Sequence, residues 1–370
     1  MRRGPQFLIW CAKGVLLLVV ASIASAQNLP APTRVWSVGP LTKPQQVRGI
    51  AIGNAGVTFT GPHVDSQTES TFAATRSIAF AGDRIVLASS IGTRNVEGAQ
   101  IPATIYQLLS LDTQTGEVKN TREITAFASL EVFPTNDAHV IVSGRTVLRL
   151  TPDLKDAGEF DYHSRGHKFG DVQNISPDGS TLGNATSPGY ELIDARTMQA
   201  TELTAAPAYA SSVSTKGFVT NNVLWVGDYP KDTGFLTYVD ATGQHLLYHG
   251  ACGGRPQFLS DELILEPGCK NPLIIDTHAN LVRTLPVKSA FSFAGVSQNG
   301  KRLALQIPSW SGSGSLKHER FVIYSIETGK AIVEVKSDML PEQQSWTAFS
   351  PDGSTFVVGS PLRLTLYRLP

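Results

Sequence analysis

Two copies of one short segment decide the fold: Ser176-Pro177-Asp178-Gly179-Ser180-Thr181 and Ser350-Pro351-Asp352-Gly353-Ser354-Thr355. Each copy follows an apolar run that ends at Ile175 or Phe349 and precedes a second apolar run. Proline presets an early turn dihedral, Asp hydrogen-bonds to the local backbone, and Gly accepts the positive φ of a tight turn. Both segments therefore predict a β-hairpin, and their repetition predicts a protein of repeated hairpins.

Weaker forms of the same turn recur along the chain. The last apolar residue before each turn stands at seven positions: Phe80, Phe133, Ile175, Val213, Phe258, Val296 and Phe349. Successive positions are 38 to 53 residues apart, and a four-stranded propeller blade has a similar period. No long window shows helical periodicity. The sequence therefore predicts an all-β fold, a seven-bladed β-propeller of four-stranded antiparallel blades.

A second turn signature, Asp or Glu with Thr and often Gly, follows inside five units, at 111–116, 193–197, 239–243, 275–278 and 326–329. It is typical of the turn between the third and fourth strands, C and D. The chain ends after the strand 364–367 without such a turn, so the seventh blade lacks its outer strand. The apolar strand at 34–38 is predicted to supply it and to close the ring, which removes exposed sheet edges. Eight blades is the alternative, because 47–52 and 57–60 look like a further hairpin.

These hairpins and Asp-x-x-Thr-Gly turns resemble bacterial β-propellers of the WD40-like, YVTN and quinoprotein amine dehydrogenase-like superfamily, over about residues 70–370. The resemblance implies the fold but no single function, because propellers host binding, scaffolding and several chemistries. Quinone-binding repeats place a tryptophan shortly after the turn Gly, and none follows Gly116 or Gly329 here. We therefore expect no cofactor.

Residues 1–26 have the three parts of a secretory signal: a basic start, an apolar run at 15–23, and the small-residue cleavage site Ala24-Ser25-Ala26. Cleavage before Gln27 would leave a single β-propeller domain over 27–370, exported to the periplasm or secreted. An uncleaved anchor is the alternative, although the apolar run is short for a membrane span. After cleavage we expect no stable membrane insertion.

The composition limits the classes of partner that the chain can bind. Charged residues make up only 17% of the chain, and 31 Lys and Arg balance 31 Asp and Glu. Because the net charge is zero, no overall positive electrostatic potential attracts nucleic acid, so we expect no nucleic-acid partner. We expect a monomer.

The two cysteines after the signal, Cys252 and Cys269, fall in loops that a four-stranded blade places on one face. An oxidising compartment favours a disulfide between them. Two free thiols, or metal ligands without companions, are the alternatives.

The spacing of turns within each unit locates the insertions. Residues 91–102, 227–234 and 309–318 are extra residues between strands B and C of their units, and all three project from one face. Loops on a rigid scaffold are the usual place for recognition, so this face is the predicted binding surface. Its candidate residues, with the loop 163–168 and the ends of two inner strands, are Arg94, His163, Arg165, His167, Asp171, Tyr229, Lys231, Asp232, Arg255, Trp310 and His318.

Motifs for catalysis are sparse. His163 and His167 are four residues apart, but the glycine between them and the β context argue against a helical metal site. The sequence contains no His-Glu-x-x-His motif, and no catalytic or metal residue is assigned. The first hypothesis is a non-catalytic binding module for a protein, peptide or carbohydrate. The alternatives are a propeller-type hydrolase, lactonase or lyase with its site at the channel mouth, and a component of a cell-envelope assembly.

Overall fold

The computed structural model describes the chain in nineteen segments. They are residues 29–39, 52–53, 56–57, 75–95, 103–126, 129–143, 146–160, 170–186, 190–203, 212–222 with 225–226 and 229–230, 234–251, 255–267 with 271–287, and 290–310 with 316–336, 345–360 and 363–370. No helix occurs among these residues, so none of them forms a helix of the length and hydrophobicity that a membrane crossing requires.

The described residues form strands throughout. In chain order these are β1 (Thr33–Val38), β2 (Ile52–Gly53), β3 (Gly56–Val57), β4 (Thr75–Ala81), β5 (Arg84–Arg94), β6 (Ala103–Asp112), β7 (Val118–Ala126), β8 (Glu131–Pro134), β9 (Val140–Ser143), β10 (Val147–Leu150), β11 (Asp156–Phe160), β12 (Gly170–Ile175), β13 (Thr181–Thr186), β14 (Tyr190–Asp194), β15 (Ala200–Leu203), β16 (Ser212–Val213), β17 (Gly217–Asn222), β18 (Trp225–Val226), β19 (Tyr229–Pro230), β20 (Gly234–Asp240), β21 (Gly243–Ala251), β22 (Gln257–Phe258), β23 (Leu263–Glu266), β24 (Leu273–Asp276), β25 (Leu281–Thr284), β26 (Ser292–Val296), β27 (Arg302–Trp310), β28 (Leu316–Ser325), β29 (Ala331–Lys336), β30 (Trp346–Phe349), β31 (Thr355–Gly359) and β32 (Leu364–Arg368).

Seven four-stranded antiparallel sheets, the blades, account for most of these strands. In the order A, B, C, D they are β4–β7, β8–β11, β12–β15, β16 with β17, β20 and β21, β22–β25, β26–β29, and β30–β32 with β1. Each A strand contains the apolar residue that the turn spacing had marked, from Phe80 to Phe349. The predicted blade count is confirmed.

The ring closes at blade 7, where the start of the described chain completes the last sheet. Strand β1 lies antiparallel beside β32, with Thr33 opposite Arg368 and Val38 opposite Leu364. This confirms the predicted closure by the N-terminal strand. Of the predicted extra hairpin at 47–52 and 57–60, the structure describes only the part in β2 and β3, which form a separate two-stranded sheet; the rest lies outside the described residues.

The core consists of seven apolar clusters, one between each pair of neighbouring blades. Strand β5 shows the cause, because its apolar residues face both ways. Ile85 and Leu87 pack toward blade 7, whereas Val86 and Ala88 pack toward blade 2. Since strand side chains alternate between faces, a continuous apolar run is what a strand buried on both faces requires. Each fully buried Ile or Leu contributes about 1.5–3 kcal/mol.

Candidate functional site

Four of the A–B turns, those of blades 2, 3, 6 and 7, share one hydrogen-bonded geometry. In blade 3 the Asp178 carboxylate accepts hydrogen bonds from Ser176 Oγ and from the Ser180 N–H, the latter at 3.0 Å. Gly179 has φ +76°, and its N–H donates to the Ser176 carbonyl at 2.8 Å. Equivalent turns begin at Thr135, Ser297 and Ser350. Both acidic turn residues that the sequence marked as turn formers therefore have that role.

One side chain crosses the central channel on the face of the A–B turns. Gln298, in the turn of blade 6, lies across the ring from blades 2 and 3. Its Nε2 donates to the Pro134 carbonyl at 3.5 Å, 164 residues away in sequence, and lies 2.4 Å from the position of a Cβ on Gly179. This face of the channel is therefore obstructed by protein. Gln298 stands where Pro177 and Pro351 stand in the turns of blades 3 and 7. This replacement of proline by a long polar side chain was the sequence feature that could have indicated the contact.

The C–D turns are held by one capping side chain each. Asp112 Oδ1 accepts the N–H groups of Gln114 and Thr115 at 2.9 Å, and Asp194 accepts those of Arg196 and Thr197. In blade 6, however, the cap is Ser325, whose Oγ accepts the Thr328 N–H at 3.1 Å. The predicted turn at 326–329 is present between β28 and β29, and Ser325 stands where Asp112 stands in blade 1, so a hydroxyl takes the place of the carboxylate.

The carboxylates in these turns predict that the stability of the folded protein decreases in acid. Hydrogen bonds from the Thr115 and Gln114 N–H groups hold the pKa of Asp112 below its ordinary 3.8. For Asp194, Asp240, Asp276 and Asp352, partial burial alone would raise the pKa, but hydrogen bonds outweigh it and the net pKa is lowered. A lowered folded-state pKa means that the unfolded chain binds more protons as the pH falls.

We therefore expect the urea midpoint to be insensitive to these carboxylates near neutrality and to fall progressively below about pH 4. The Asp194→Asn variant should show a shallower acid decline, since one lowered carboxyl is removed. Urea titrations at several pH values from neutral to about pH 3 measure this. A midpoint that is constant or rises on acidification contradicts it.

Strand length distinguishes the blades on the opposite face, where the B–C turns lie. In blade 1 strands β5 and β6 have 11 and 10 residues, and in blade 6 strands β27 and β28 have 9 and 10. In blade 7, which stands between them, β31 and β32 have 5 each. At about 3.4 Å per residue, the two neighbours extend about 15 Å further than blade 7.

The long hairpins thus form two walls above a low blade. Among the described residues, 91–94 with 103–105 and 307–310 with 316–319 form the two walls, and 345–347 with 359–360 form the floor; we call this arrangement the blade 7 cleft. Ser345 Oγ on the floor donates to the Glu319 carboxylate on one wall. Predicted as loops, the insertions at 91–102 and 309–318 are in part continuous strands, because backbone pairing extends to Arg94 opposite Ala103 and to Trp310 opposite Leu316. The insertion of blade 4 instead forms the small separate hairpin β18–β19.

The predicted site residues divide into three groups. Arg94 is exposed at the end of β5, Trp310 ends β27, and His318 lies in β28, so these three lie on the walls of the cleft. The second group lies in blades 3 to 5: Asp171 in β12, Tyr229 in β19, and Arg255, which is exposed just before β22. The third group lies outside the described residues: His163, Arg165, His167, Lys231, Asp232, Cys252 and Cys269.

Sequence reasoning missed Glu319 and Ser345, which tie the floor of the cleft to its wall. Their contact joins residues in different blades, and only a strongly polar pair near two B–C turns could have suggested it. Among the described residues no group of three His, Cys, Asp or Glu side chains is arranged to hold a metal ion.

The architecture defines the chain as a seven-bladed β-propeller closed by its N-terminal strand. No protein-family model matches the chain, and no curated protein matches it. A solved structure that matches is the C-terminal WD40 domain of Sif2, with 10% sequence identity and a TM-score of 0.42, covering 81% of this chain and 97% of that domain.

Proposed function

We propose that this propeller is an exported, non-catalytic binding module that holds a protein, peptide or carbohydrate ligand in the blade 7 cleft. The observation that carries the proposal is the pair of long hairpins in blades 1 and 6. The described parts of these walls are paired strands up to Arg94 and Trp310, so a ligand that contacts them would meet a surface that is ordered before it binds. A preorganised cleft on a rigid scaffold is a common form of recognition site.

Two further observations support this face. Gln298 obstructs the channel on the A–B side, so a ligand bound near the ring centre would approach from the B–C side. The exposed Arg94 stands at the end of one wall, where a guanidinium offers planar hydrogen bonds to carboxylates or amide oxygens. Export rests on the signal-like residues 1–26 of the sequence.

The test removes one wall. Ser90 lies opposite Tyr106, so replacing 91–105 by Asn-Gly joins them through a two-residue hairpin turn. A matched control replaces 223–234 by Asn-Gly between Asn222 and Phe235 in blade 4, on the same face but across the ring. Each protein is produced with residues 1–26 and recovered from the periplasm of a bacterial host, where the proposal expects Gln27 as the first residue.

Binders are then selected from a random peptide library and from a glycan array against the natural chain. We expect them to bind the blade 4 control normally and the shortened blade 1 variant at least tenfold more weakly, a loss of about 1.4 kcal/mol. If the selected binders have the same affinity for the shortened variant as for the natural chain, the binding site lies elsewhere. Failure of both selections would contradict a peptide or carbohydrate ligand.

A further inference from the structure

A second cavity lies on the opposite face, where the ring closes. It has a volume of about 590 Å³ and lies between blades 7 and 1, within the range of small-ligand pockets. Its apolar part consists of Phe80 and Leu366, both 2% exposed, and of the half-buried Val35 from strand β1. The N-terminal strand therefore contributes one side of the cavity.

Turn length explains why the cavity forms at this junction. The A–B turn of blade 7 has five residues between β30 and β31, and it is tied to blade 6 because the Asn299 side chain donates to the Asp352 carbonyl at 2.6 Å. The A–B turn of blade 1 is only Gly82-Asp83 between β4 and β5. Because the shorter turn of blade 1 does not fill the space beside the longer turn of blade 7, the cavity remains between the two turns.

Polar groups at the rim of this cavity have unused bonding capacity. Arg368 is exposed and forms no ion pair with any residue in the part of the chain that the structure describes. Asp352 uses one carboxylate oxygen, Oδ1, to accept from Ser350 Oγ, Ser354 N–H and Ser354 Oγ at 2.6, 3.0 and 2.9 Å. Its Oδ2 accepts no hydrogen bond within the described ranges.

One cation, one carboxylate oxygen and an apolar wall around a small cavity define a ligand chemistry. We propose that this cavity binds a short peptide with free termini and apolar side chains. The Arg368 guanidinium pairs with the peptide carboxylate, as arginine commonly does through two parallel hydrogen bonds. Asp352 Oδ2 accepts from the peptide ammonium, and an apolar side chain packs against Val35 and Pro351, the apolar lining residues that keep exposed surface. An extended dipeptide spans about 7 Å, a length that suits a cavity of this size.

The proposal is tested with the dipeptide Leu-Leu and calorimetric titration of the whole mature protein. We expect saturable binding with Kd at or below about 1 mM, and at least tenfold weaker binding to the Arg368→Gln variant. The matched control is Arg363→Gln, an exposed arginine that precedes the same strand, β32, at the B–C end; its binding should stay within twofold of the natural chain.

Ligand variants test the same contacts without changing the protein. Leu-Leu amide, N-acetyl-Leu-Leu and Gly-Gly should each bind at least tenfold more weakly, because each removes one of the three predicted contacts. Absence of binding at about 1 mM, equal binding to Arg368→Gln, or equal binding of the three altered dipeptides would overturn the proposal. Because the blade 7 cleft lies on the other face, this result is independent of the proposed function.

Discussion

A chain that begins at residue 39 should be less stable than one that begins at Gln27 by about 5 kcal/mol, a large share of the total for a typical domain. The shorter chain lacks β1, so β32 becomes an exposed edge of a three-stranded blade. Val35, Trp36 and Val38 also leave the apolar cluster between blades 7 and 1. Exposed strand edges pair with other chains, and we expect the shorter protein to aggregate on mild heating.

Within β1, Trp36 makes the contacts that fasten the ring. Its Nε1 donates to the Thr113 carbonyl at 2.9 Å, and its ring lies 3.0 Å from the position of a Cβ on Gly116. Both partners belong to the C–D turn of blade 1, so this side chain joins the outer strand of blade 7 to the next blade. Trp36→Ala should lower the free energy of unfolding by about 2–3 kcal/mol. This loss is smaller than for a fully buried tryptophan because Trp36 is half-buried.

Urea unfolding and size-exclusion chromatography measure both effects. The control is Thr33→Ala, an exposed position at the start of the same strand, which should change stability by less than about 0.5 kcal/mol. If the chain that begins at residue 39 unfolds at the same urea concentration as the chain that begins at Gln27, the closure carries no stability.

Local chemistry explains why the fold was predictable from the sequence. Each blade needs one apolar A strand followed by a turn, and the turn residues are fixed by hydrogen bonds within a few positions, as Asp178 and Asp352 show. The closing strand was predictable for a similar reason, since a blade without its D strand leaves one apolar segment, β1, to complete it.

The candidate site was predictable only in outline. Turn spacing located the insertions of blades 1 and 6, but it could not show that they continue as paired strands to Arg94 and Trp310. Contacts between blades, such as Gln298 with Pro134 or Ser345 with Glu319, join residues far apart in the chain. No local pattern encodes them, because they depend on how separate blades are placed, across the ring for Gln298 and side by side for Ser345.

The channel contact gives the second large prediction, for which the chain supplies its own control. The hexapeptide Ser-Pro-Asp-Gly-Ser-Thr occurs twice, with glycine at φ +76° in Gly179 and +72° in Gly353. An alanine at either position has the same backbone strain, about 1–2 kcal/mol. The surroundings differ, because a Cβ on Gly179 would lie 2.9 Å from the Pro134 carbonyl oxygen and the Asn136 nitrogen, whereas a Cβ on Gly353 meets Ser297 Cβ at 3.1 Å.

Gly179→Ala should therefore lower the free energy of unfolding by about 3–4 kcal/mol, and Gly353→Ala should lower it by about 1–2 kcal/mol. The loss is larger at Gly179 because overpacking against backbone atoms adds to the backbone strain there. Adding Gln298→Ala to Gly179→Ala should recover about 1 kcal/mol, because it removes the flexible amide but leaves the two backbone atoms in place. Urea unfolding of the three variants and of the natural chain measures these differences. Equal losses at the two glycines would mean that the turn of blade 3 is free of the channel contacts, and that Gln298 does not obstruct the channel.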